Sequence, residues 1–327
     1  MTTRAHDASC LVRKVSIEMC TTDANQDFAV SLKTFVQQAQ AGGQGNPLEV
    51  VSNRDFIVLA FLVILNRLPD EDGIEYYLNR LGGLINRQQL VQYLFESEEY
   101  RARFEPQFAD RLHEARKEFI KTLPEAECIV DLGGACPTVI EGALYTSGYP
   151  YRARRLIIVD LPHDDRLISP LDFHEETIVR DYGVIAYVHS SMADLSAIQD
   201  SVADLVFAGE SIEHVTQAEA PVVIAEARRI LKPGGHFCLD TPNSKLTRIH
   251  SPEQFVHPEH KVEYTPNDLI DLLKEGGFDV IEVGGICPMP ETAATGVFNA
   301  TEAFRTPALS ADADISYCFY VKARKPI

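Results

Sequence analysis

The sequence predicts an α/β domain with a doubly wound, mainly parallel sheet of seven strands, preceded by an all-α domain. Two observations lead to this prediction. Residues 50–121 carry apolar side chains at helical spacing, whereas from Pro124 onward short apolar runs alternate with helical stretches. Such alternation is typical of a sheet that helices cover on both faces. The length of 327 residues suits one large or two modest domains.

The first 46 residues show no sustained hydrophobic period and end in the Gly-rich segment "AQAGGQGNP". They predict a flexible arm or linker, with a peripheral helix from Phe28 to Gln40. We therefore expect an arm over residues 1–46, a helical accessory domain over 47–122 and the α/β domain over 123–327.

The helical region opens with the apolar run Phe56–Leu65. This run is about half of the ~20 residues that a membrane span needs, so it predicts a buried helix. Pro69 and Asp70 end this helix and begin the next one. Asn86 with Gln89 predicts a capping box at the start of a third helix.

The stretch "RLPDEDGIEYYLNRLGGLINRQQLVQYLFESEEYRARF" resembles a small bacterial helical domain of unknown function. That family has a Pro-Asp-x-x-Gly turn, an aromatic-Leu helix and a Ser-x-Glu-Tyr end. The matching residues here are Pro69, Asp70, Gly73, Tyr77, Ser97, Glu99 and Tyr100. The resemblance implies no chemistry. It favours a module for packing, partner docking or self-association over one for glycan binding.

Seven apolar runs predict the strands of the α/β domain. They are residues 128–132, 155–160, 184–190, 203–208, 236–240, 278–283 and 317–323. Helical stretches separate the first five runs, so these strands should be parallel. About 30 residues without a crossover-helix signal join the last two runs, as an antiparallel closing pair with a long flap over 285–315 would require.

Helix boundaries in this domain have clear signals. Thr216 with Glu219 predicts a capping box, and Gly234-Gly235 predicts the end of the helix that follows it. Thr265 predicts the start of another helix, which Gly276 ends.

The charge and cysteine content exclude several classes of protein. The 48 acidic and 30 basic residues give a net charge of −18, which argues against a nucleic acid or an anionic membrane as partner, since both require clustered Lys and Arg. The seven cysteines form no CxxC or metal-type pair. An odd number of scattered cysteines, in a sequence without a signal-peptide pattern, predicts a reducing, cytoplasmic location.

The segment "VDLGGACP", residues 130–137, follows the first predicted strand. A dinucleotide site needs three glycines and free N–H groups for pyrophosphate, but Ala135 replaces the second glycine and Pro137 removes a donor. Asp131 before the loop would also repel phosphate. S-adenosylmethionine has no phosphate and carries an ammonium that Asp131 can receive, while Gly133 lets the backbone approach closely. The loop therefore favours S-adenosylmethionine.

The later strand ends carry side chains that suit the same ligand. Asp160 ends the second predicted strand, where a carboxylate can bind both ribose hydroxyls. Ser191 and Met192 follow the third, where they can meet the adenine edge and its flat face. The segments "DLVFAGESIEHV" (204–215) and "RILKPGGHFCLDTPN" (229–243) come next.

These five segments follow one another in the order typical of the class I S-adenosylmethionine-dependent methyltransferases. Residues 124–327 therefore resemble this family, which has a Rossmann-like fold. The resemblance implies contacts for each part of the cofactor. It places Asp131, Gly133 and Gly134 at the methionine part, Asp160 at the ribose, Ser191 and Met192 at the adenine, and Glu210 to His214 at the methyl-transfer end.

Three side chains are candidates for the base that deprotonates a methyl acceptor, with His260 and His214 ahead of Asp240. His214 follows Glu213 in "EHV", a pairing more typical of a pocket wall. His257, His260 and Glu263 lie close together in sequence and could form a metal trio, but their spacing is not a standard zinc set. We therefore expect no metal site.

The sequence thus predicts a methyltransferase that acts on an oxygen or nitrogen of a small-molecule or sugar-containing acceptor. One alternative is a non-catalytic scaffold that binds S-adenosylmethionine. Another is an NAD(P)-dependent oxidoreductase, against which Asp131 and Pro137 argue.

Overall fold

The computed structural model describes residues 51–136, 138–162 and 177–327. The predicted arm, the predicted helix from Phe28 to Gln40 and Pro137 all lie outside these residues. The chain divides into two compact units, Met1–Arg103 and Phe104–Ile327.

Helices make up the described part of the first unit and continue into the second. They are α1 (Asn53–Leu65), α2 (Glu71–Leu81), α3 (Arg87–Phe95) and α4 (Glu98–Ile120). Asp70 caps α2, because its Oδ1 accepts a hydrogen bond of 2.7 Å from the N–H of Gly73. The predicted capping box of Asn86 and Gln89 is present at the start of α3. Residues Ile57, Phe61, Ile74, Leu90 and Leu94 form the buried core of this unit.

The second half of α4 belongs to the second unit. Phe119 is fully buried and stacks on Tyr320, with ring centroids 4.4 Å apart. This unit begins at Phe104, so it includes the second half of α4 as well as the strands.

The second unit contains a mixed sheet whose strand order is β3-β4-β2-β1-β5-β6-β9-β7-β8. The strands are β1 (Cys128–Leu132), β2 (Arg155–Asp160), β3 (Thr177–Val179), β4 (Val184–His189), β5 (Ala203–Gly209), β6 (Leu231–Pro242), β7 (Asp279–Pro288), β8 (Leu309–Ser310) and β9 (Ser316–Arg324). The neighbours from β4 to β6 pair in parallel. The seven predicted strands are present, and the short edge strands β3 and β8 are additional among the described residues.

The closing strands are antiparallel, as predicted: β9 pairs antiparallel with both β6 and β7. The segment between β7 and β9 contains a short helix α9 (Pro290–Thr295), a 3₁₀ helix (Ala300–Phe304) and β8, so it is more structured than the predicted flap. The remaining helices are α5 (Ala143–Thr146), α6 (Ala220–Ile230), α7 (Ser244–His250) and α8 (Pro266–Glu275).

The predicted start and end of α8 were right, whereas the predicted end of α6 was wrong. Thr265 and Asp268 form a capping box, and Gly276 is the C-cap of α8. Thr216 and Glu219 exchange hydrogen bonds before α6. However, α6 ends at Ile230 and β6 begins at Leu231, so Gly234-Gly235 lies within the strand instead of ending the helix.

The strand order brings the predicted site residues to one edge of the sheet. The order reverses at β1, which lies between β2 and β5, and ligands of open α/β sheets bind at the carboxyl ends of the strands near such a reversal. The helix described after β1 begins at Ala143, with Gly142 as its N-cap. Among the described helices, none combines the length and the apolar character of a bilayer span.

Candidate active site

Asp131 lies inside β1 and is 2% exposed. The next residues must be glycine for steric reasons. Gly133 has a φ of +77°, and a Cβ on Gly134 would lie 2.1 Å from Oδ2 of Asp131. A side chain at residue 134 would therefore displace the carboxylate, so this loop is shaped around Asp131.

The carboxylate of Asp131 is poorly compensated in the protein. The N–H of Leu144 donates to it, but burial is the larger effect and raises its pKa to about 7. Within the described chain, Oδ2 has no hydrogen-bond partner. A buried, unpaired carboxylate oxygen is energetically costly, and a cation would relieve that cost.

Asp160 lies at the end of β2, as predicted, and contacts the loop after β1. Its Oδ2 accepts a 3.0 Å hydrogen bond from the N–H of Ala135, and its Oδ1 accepts one of 2.8 Å from the N–H of Leu161. Asp160 thus connects the end of β2 to the loop after β1. The sequence assigned both of these regions to S-adenosylmethionine.

The turn after β4 carries the residues predicted to meet adenine. Oγ of Ser191 accepts a 3.2 Å hydrogen bond from the N–H of Ala193. Met192 is partly buried and packs against the hydrophobic core. The turn has a defined shape, and the adenine contacts of Ser191 and Met192 stay predictions.

Glu210, directly after β5, has a left-handed backbone with φ of +47°. Non-glycine residues rarely adopt this region, and such strain is concentrated at functional sites. Oε2 of Glu210 is 2.8 Å from Nη1 of Arg116. Arg116, which lies on α4, was missed by the sequence reasoning, although its position in the turn before the apolar Phe119 hinted at burial.

Arg116 also binds Asp240, one of the three candidate bases. The distance from Nε of Arg116 to Oδ2 of Asp240 is 2.6 Å, and the Asp240 side chain is fully buried. Burial would lower the pKa of Arg116, but the charges of Asp240 and Glu210 raise it. The pairing favours a role for Asp240 in holding Arg116 over the predicted role as a base.

The other two candidate bases, His214 and His260, lie together. His214 is on a 3₁₀ turn (Ile212–His214) after β5, and its ring centroid is 5.1 Å from that of His260. Backbone hydrogen bonds fix this arrangement, because the N–H groups of Lys261 and Val262 donate to the carbonyl of Glu213 at 2.8 and 3.2 Å. Burial lowers the pKa of His214, so its imidazole is neutral at neutral pH.

His260 is oriented by a buried carboxylate. Its Nδ1 is 3.0 Å from Oε1 of Glu263, whose other oxygen accepts a 2.5 Å hydrogen bond from Oγ1 of Thr247. Burial would raise the pKa of Glu263, but hydrogen bonds from His260, Thr247 and the N–H of Val256 lower it. An ionised Glu263 places the proton of His260 on Nδ1 and leaves a lone pair on Nε2.

Glu213 is fully buried beside the two histidines. Its Oε2 accepts a 2.9 Å hydrogen bond from Oγ1 of Thr241. Its Oε1 has no hydrogen-bond partner among the residues that the structure describes. Burial, followed by the charge of Glu210, raises the pKa of Glu213 well above its usual value.

Of the three residues that the sequence considered as a metal trio, His260 and Glu263 are in contact, through the hydrogen bond between Nδ1 and Oε1. Among the described residues, two groups that share His214 bring metal-type ligand atoms within 4.8 Å of one another. One group is Glu213, His214 and His260, and the other is His214, His257 and Glu259.

The cofactor loop adjoins this region. A Cβ on Gly133 would lie 2.9 Å from Cβ of Ser211, which directly precedes the 3₁₀ turn. The carboxyl ends of β1 and β5 therefore bring Asp131 and the histidines into one site.

Two parts of the chain match known protein families. Residues 157–239 match a family described as "Methyltransferase domain". Residues 45–104 match a domain of unknown function, DUF4214. The two matches fall on the two regions that the sequence assigned to a methyltransferase and to a bacterial helical domain.

Two curated relatives carry methyltransferase names. A "Probable S-adenosylmethionine-dependent methyltransferase" of Mycolicibacterium smegmatis is 30% identical over 125 residues, 37% of this chain and 47% of that protein. The dimethylglycine N-methyltransferase of Parasynechococcus marenigrum is 28% identical over 156 residues, 44% of this chain and 52% of that protein. The chain thus spans about half the length of these relatives.

Among solved structures, an S-adenosylmethionine-dependent methyltransferase of Archaeoglobus fulgidus is similar, with a TM-score of 0.45 and 15% identity. The alignment covers 76% of this chain and 99% of that one.

Proposed function

Because its α/β unit belongs to the class I S-adenosylmethionine-dependent methyltransferases, we propose that this protein transfers a methyl group from S-adenosylmethionine to an oxygen or nitrogen of a small-molecule or sugar-containing acceptor. The cofactor supplies a methyl group already activated on a sulfonium. The chain must align the donor with the acceptor, exclude water and provide a base that takes the proton of the acceptor.

The observation that carries the proposal is the buried carboxylate of Asp131, whose Oδ2 has no partner among the described residues. The loop above it needs Gly134 to pass close to the carboxylate. An acid in this position suits the ammonium of the cofactor and would repel the pyrophosphate of a dinucleotide. The residues present therefore fit S-adenosylmethionine.

The other contacts follow from the order of the strand ends. Asp160 would bind the ribose hydroxyls while it holds the loop through Ala135. Ser191 and Met192 would line the adenine, Gly133 and Gly134 the methionine backbone, and Glu210 the methyl-transfer end. The pairing of Glu210 with Arg116 supports this last role by fixing the carboxylate at the end of β5.

The acceptor would meet the histidines. His260 is the better base, since Glu263 holds its proton on Nδ1 and leaves Nε2 to accept one. His214 would form the adjacent wall of the pocket. An oxygen nucleophile loses its proton as it attacks, and a nitrogen nucleophile loses one before product release, so one base serves both acceptor types.

Two observations support the proposal of a small-molecule or sugar-containing acceptor. The net charge of −18 disfavours nucleic acid, and the relative from Parasynechococcus marenigrum is named for a small amine, dimethylglycine. For the helical unit we propose packing or docking of a protein partner. Its exposed apolar residues Val63, Tyr76 and Leu84 support that role.

The test combines calorimetry with mass spectrometry. The full chain should bind S-adenosylmethionine and not NAD, and should form S-adenosylhomocysteine with a member of a panel of small hydroxyl and amine acceptors. His260→Gln should lower turnover at saturating cofactor by about 10²- to 10⁴-fold, the usual contribution of a general base, while cofactor affinity stays unchanged.

The matched control is His236→Gln, because His236 lies in the first half of β6, away from the carboxyl ends. It should retain full turnover. A chain that fails to bind S-adenosylmethionine would refute the proposal, and full turnover in His260→Gln would remove His260 from the mechanism.

A further inference from the structure

We infer that Glu213, His214 and His260, together called the His–Glu cluster below, form a binding site for a divalent first-row transition-metal ion such as Zn²⁺. The sequence predicts no metal site, because the spacing of His257, His260 and Glu263 is not a standard zinc set. The fold instead brings His260 beside Glu213 and His214, which follow the carboxyl end of β5.

The geometry of the cluster suits one shared ion. One ligand atom from each residue lies within 4.8 Å of the other two. Ligands at about 2.0–2.2 Å from a tetrahedral Zn²⁺ are roughly 3.3–3.6 Å apart. Small side-chain rotations therefore suffice to close the cluster around an ion.

Glu213 provides an independent observation that points to a bound cation. Its side chain is fully buried, and Oε1 has no hydrogen-bond partner in the described part of the chain. Thr241 holds the other oxygen at 2.9 Å, which leaves Oε1 as the free ligand. Buried charges in proteins are normally paired or coordinate metals, and no Lys or Arg fills this place among the described residues.

His260 has the support that metal-binding histidines show. Ligating imidazoles commonly donate their second N–H to a carboxylate, which fixes the tautomer and the ring orientation. In His260, Nδ1 is 3.0 Å from Glu263, so Nε2 remains for the ion. Glu263 is itself held by Thr247, and thus the arrangement extends to a second layer of residues.

The alternative set of His214, His257 and Glu259 is less suited. Nδ1 of His257 accepts a 3.3 Å hydrogen bond from the N–H of Glu259, so the proton of a neutral His257 sits on Nε2. Neither nitrogen of His257 then offers a free lone pair. His257 therefore lies beside the proposed ion without being one of its ligands.

A ligand set of two imidazoles and one carboxylate favours a transition-metal ion over Mg²⁺ or Ca²⁺. Imidazole suits Zn²⁺ and its transition-metal neighbours, whereas Mg²⁺ and Ca²⁺ prefer oxygen ligands. Two histidines and a glutamate form a known catalytic zinc set, in which the fourth position stays open for water or substrate.

The role of the ion rests on the proposed function. With an acceptor hydroxyl in the open position, the ion would lower the pKa of that hydroxyl. The ion, and not the free imidazole of His260, would then activate the acceptor. The acceptor proton leaves to solvent, a new O–C bond forms, and the C–S bond breaks to release S-adenosylhomocysteine. One proton is released and nothing is oxidised or reduced.

The test is metal titration of the full chain, stripped with a chelator, without S-adenosylmethionine. Calorimetry with ZnCl₂ should show one site, and CoCl₂ should give the visible absorption of a low-symmetry Co²⁺ site with nitrogen ligands. MgCl₂ should bind far more weakly. Glu213→Gln and His260→Ala should abolish the Co²⁺ spectrum, and Glu263→Gln should weaken Zn²⁺ binding by about 10- to 100-fold.

The control His236→Ala should bind Zn²⁺ as the parent does, and circular dichroism should confirm that each variant is folded. Absence of stoichiometric Zn²⁺ or Co²⁺ binding in the parent would overturn the inference, as would unchanged binding in folded Glu213→Gln. Because no cofactor is present, these outcomes are independent of calorimetry with S-adenosylmethionine. Failure of the metal site is therefore distinguishable from failure of the methyltransferase proposal.

Discussion

Replacement of Gly134 by alanine tests whether Asp131 binds the cofactor. The added Cβ would lie 2.1 Å from Oδ2 and 2.2 Å from Cγ of Asp131, far inside van der Waals contact. Because Asp131 is 2% exposed, its carboxylate has little room to move without disturbing the core. The expected result is a displaced carboxylate with an intact sheet.

The magnitude follows from the interaction that is lost. A hydrogen bond to a charged group contributes about 1.5–3 kcal/mol, so Gly134→Ala should weaken S-adenosylmethionine binding by roughly 10- to 150-fold. Overpacking should also lower the free energy of unfolding by about 1–3 kcal/mol. Calorimetry measures the first quantity, and urea denaturation the second.

The matched control is Gly82→Ala, because a Cβ on Gly82 meets no atom within 4 Å and its φ is −86°. Both its affinity and its stability should equal those of the parent. If Gly134→Ala bound S-adenosylmethionine with parental affinity, Asp131 would not be the residue that receives the ammonium, and the assignment of the loop would be wrong.

Two further predictions concern the buried charges. Burial raises the pKa of Asp131 to about 7. The cationic ligand requires the ionised acid, so affinity should rise with pH up to about 7 and then level off, with a roughly tenfold loss at one pH unit below. In Asp131→Asn, this pH dependence, measured by calorimetry, should disappear, and its persistence would point to another group. Arg116→Met should lower the free energy of unfolding by about 3–5 kcal/mol, because it leaves the fully buried Asp240 unpaired. Adding Asp240→Asn should restore part of that loss, and a loss below about 1 kcal/mol in urea denaturation would contradict the pairing.

The fold could be predicted from the sequence wherever the signal was local. The seven main strands were found because each is an apolar run bounded by polar residues. The strands β3 and β8 were missed because they contain three and two residues. The end of α6 was placed too late, since Leu231 continues the apolar run of the helix into β6 without a break.

The site could be predicted only in part. Asp131 and Asp160 could be placed near the carboxyl ends of neighbouring strands, because each closes an apolar run in the sequence, and their contacts with the cofactor stay predictions. Arg116 could not be assigned, because its partner Asp240 is 124 residues away in sequence and nothing near Arg116 signals that contact. Similarly, the sequence grouped Glu263 with His260 as possible ligands. Only the structure shows that this acid bonds to Nδ1 of His260, while Glu213 is the acid that groups with His214 and His260.

The charges around the site explain why its proposed ligands are cations. Three buried acids, Asp131, Glu213 and Asp240, occur near the carboxyl ends of β1, β5 and β6, and Arg116 is the one buried Lys or Arg among the residues described. Arg116 is already engaged by Asp240 and Glu210. The cation of S-adenosylmethionine would compensate Asp131, and a metal ion would compensate Glu213. Because a buried carboxylate without a partner destabilises the fold, binding of either cation should stabilise the protein, and the two effects should add if the two acids act independently.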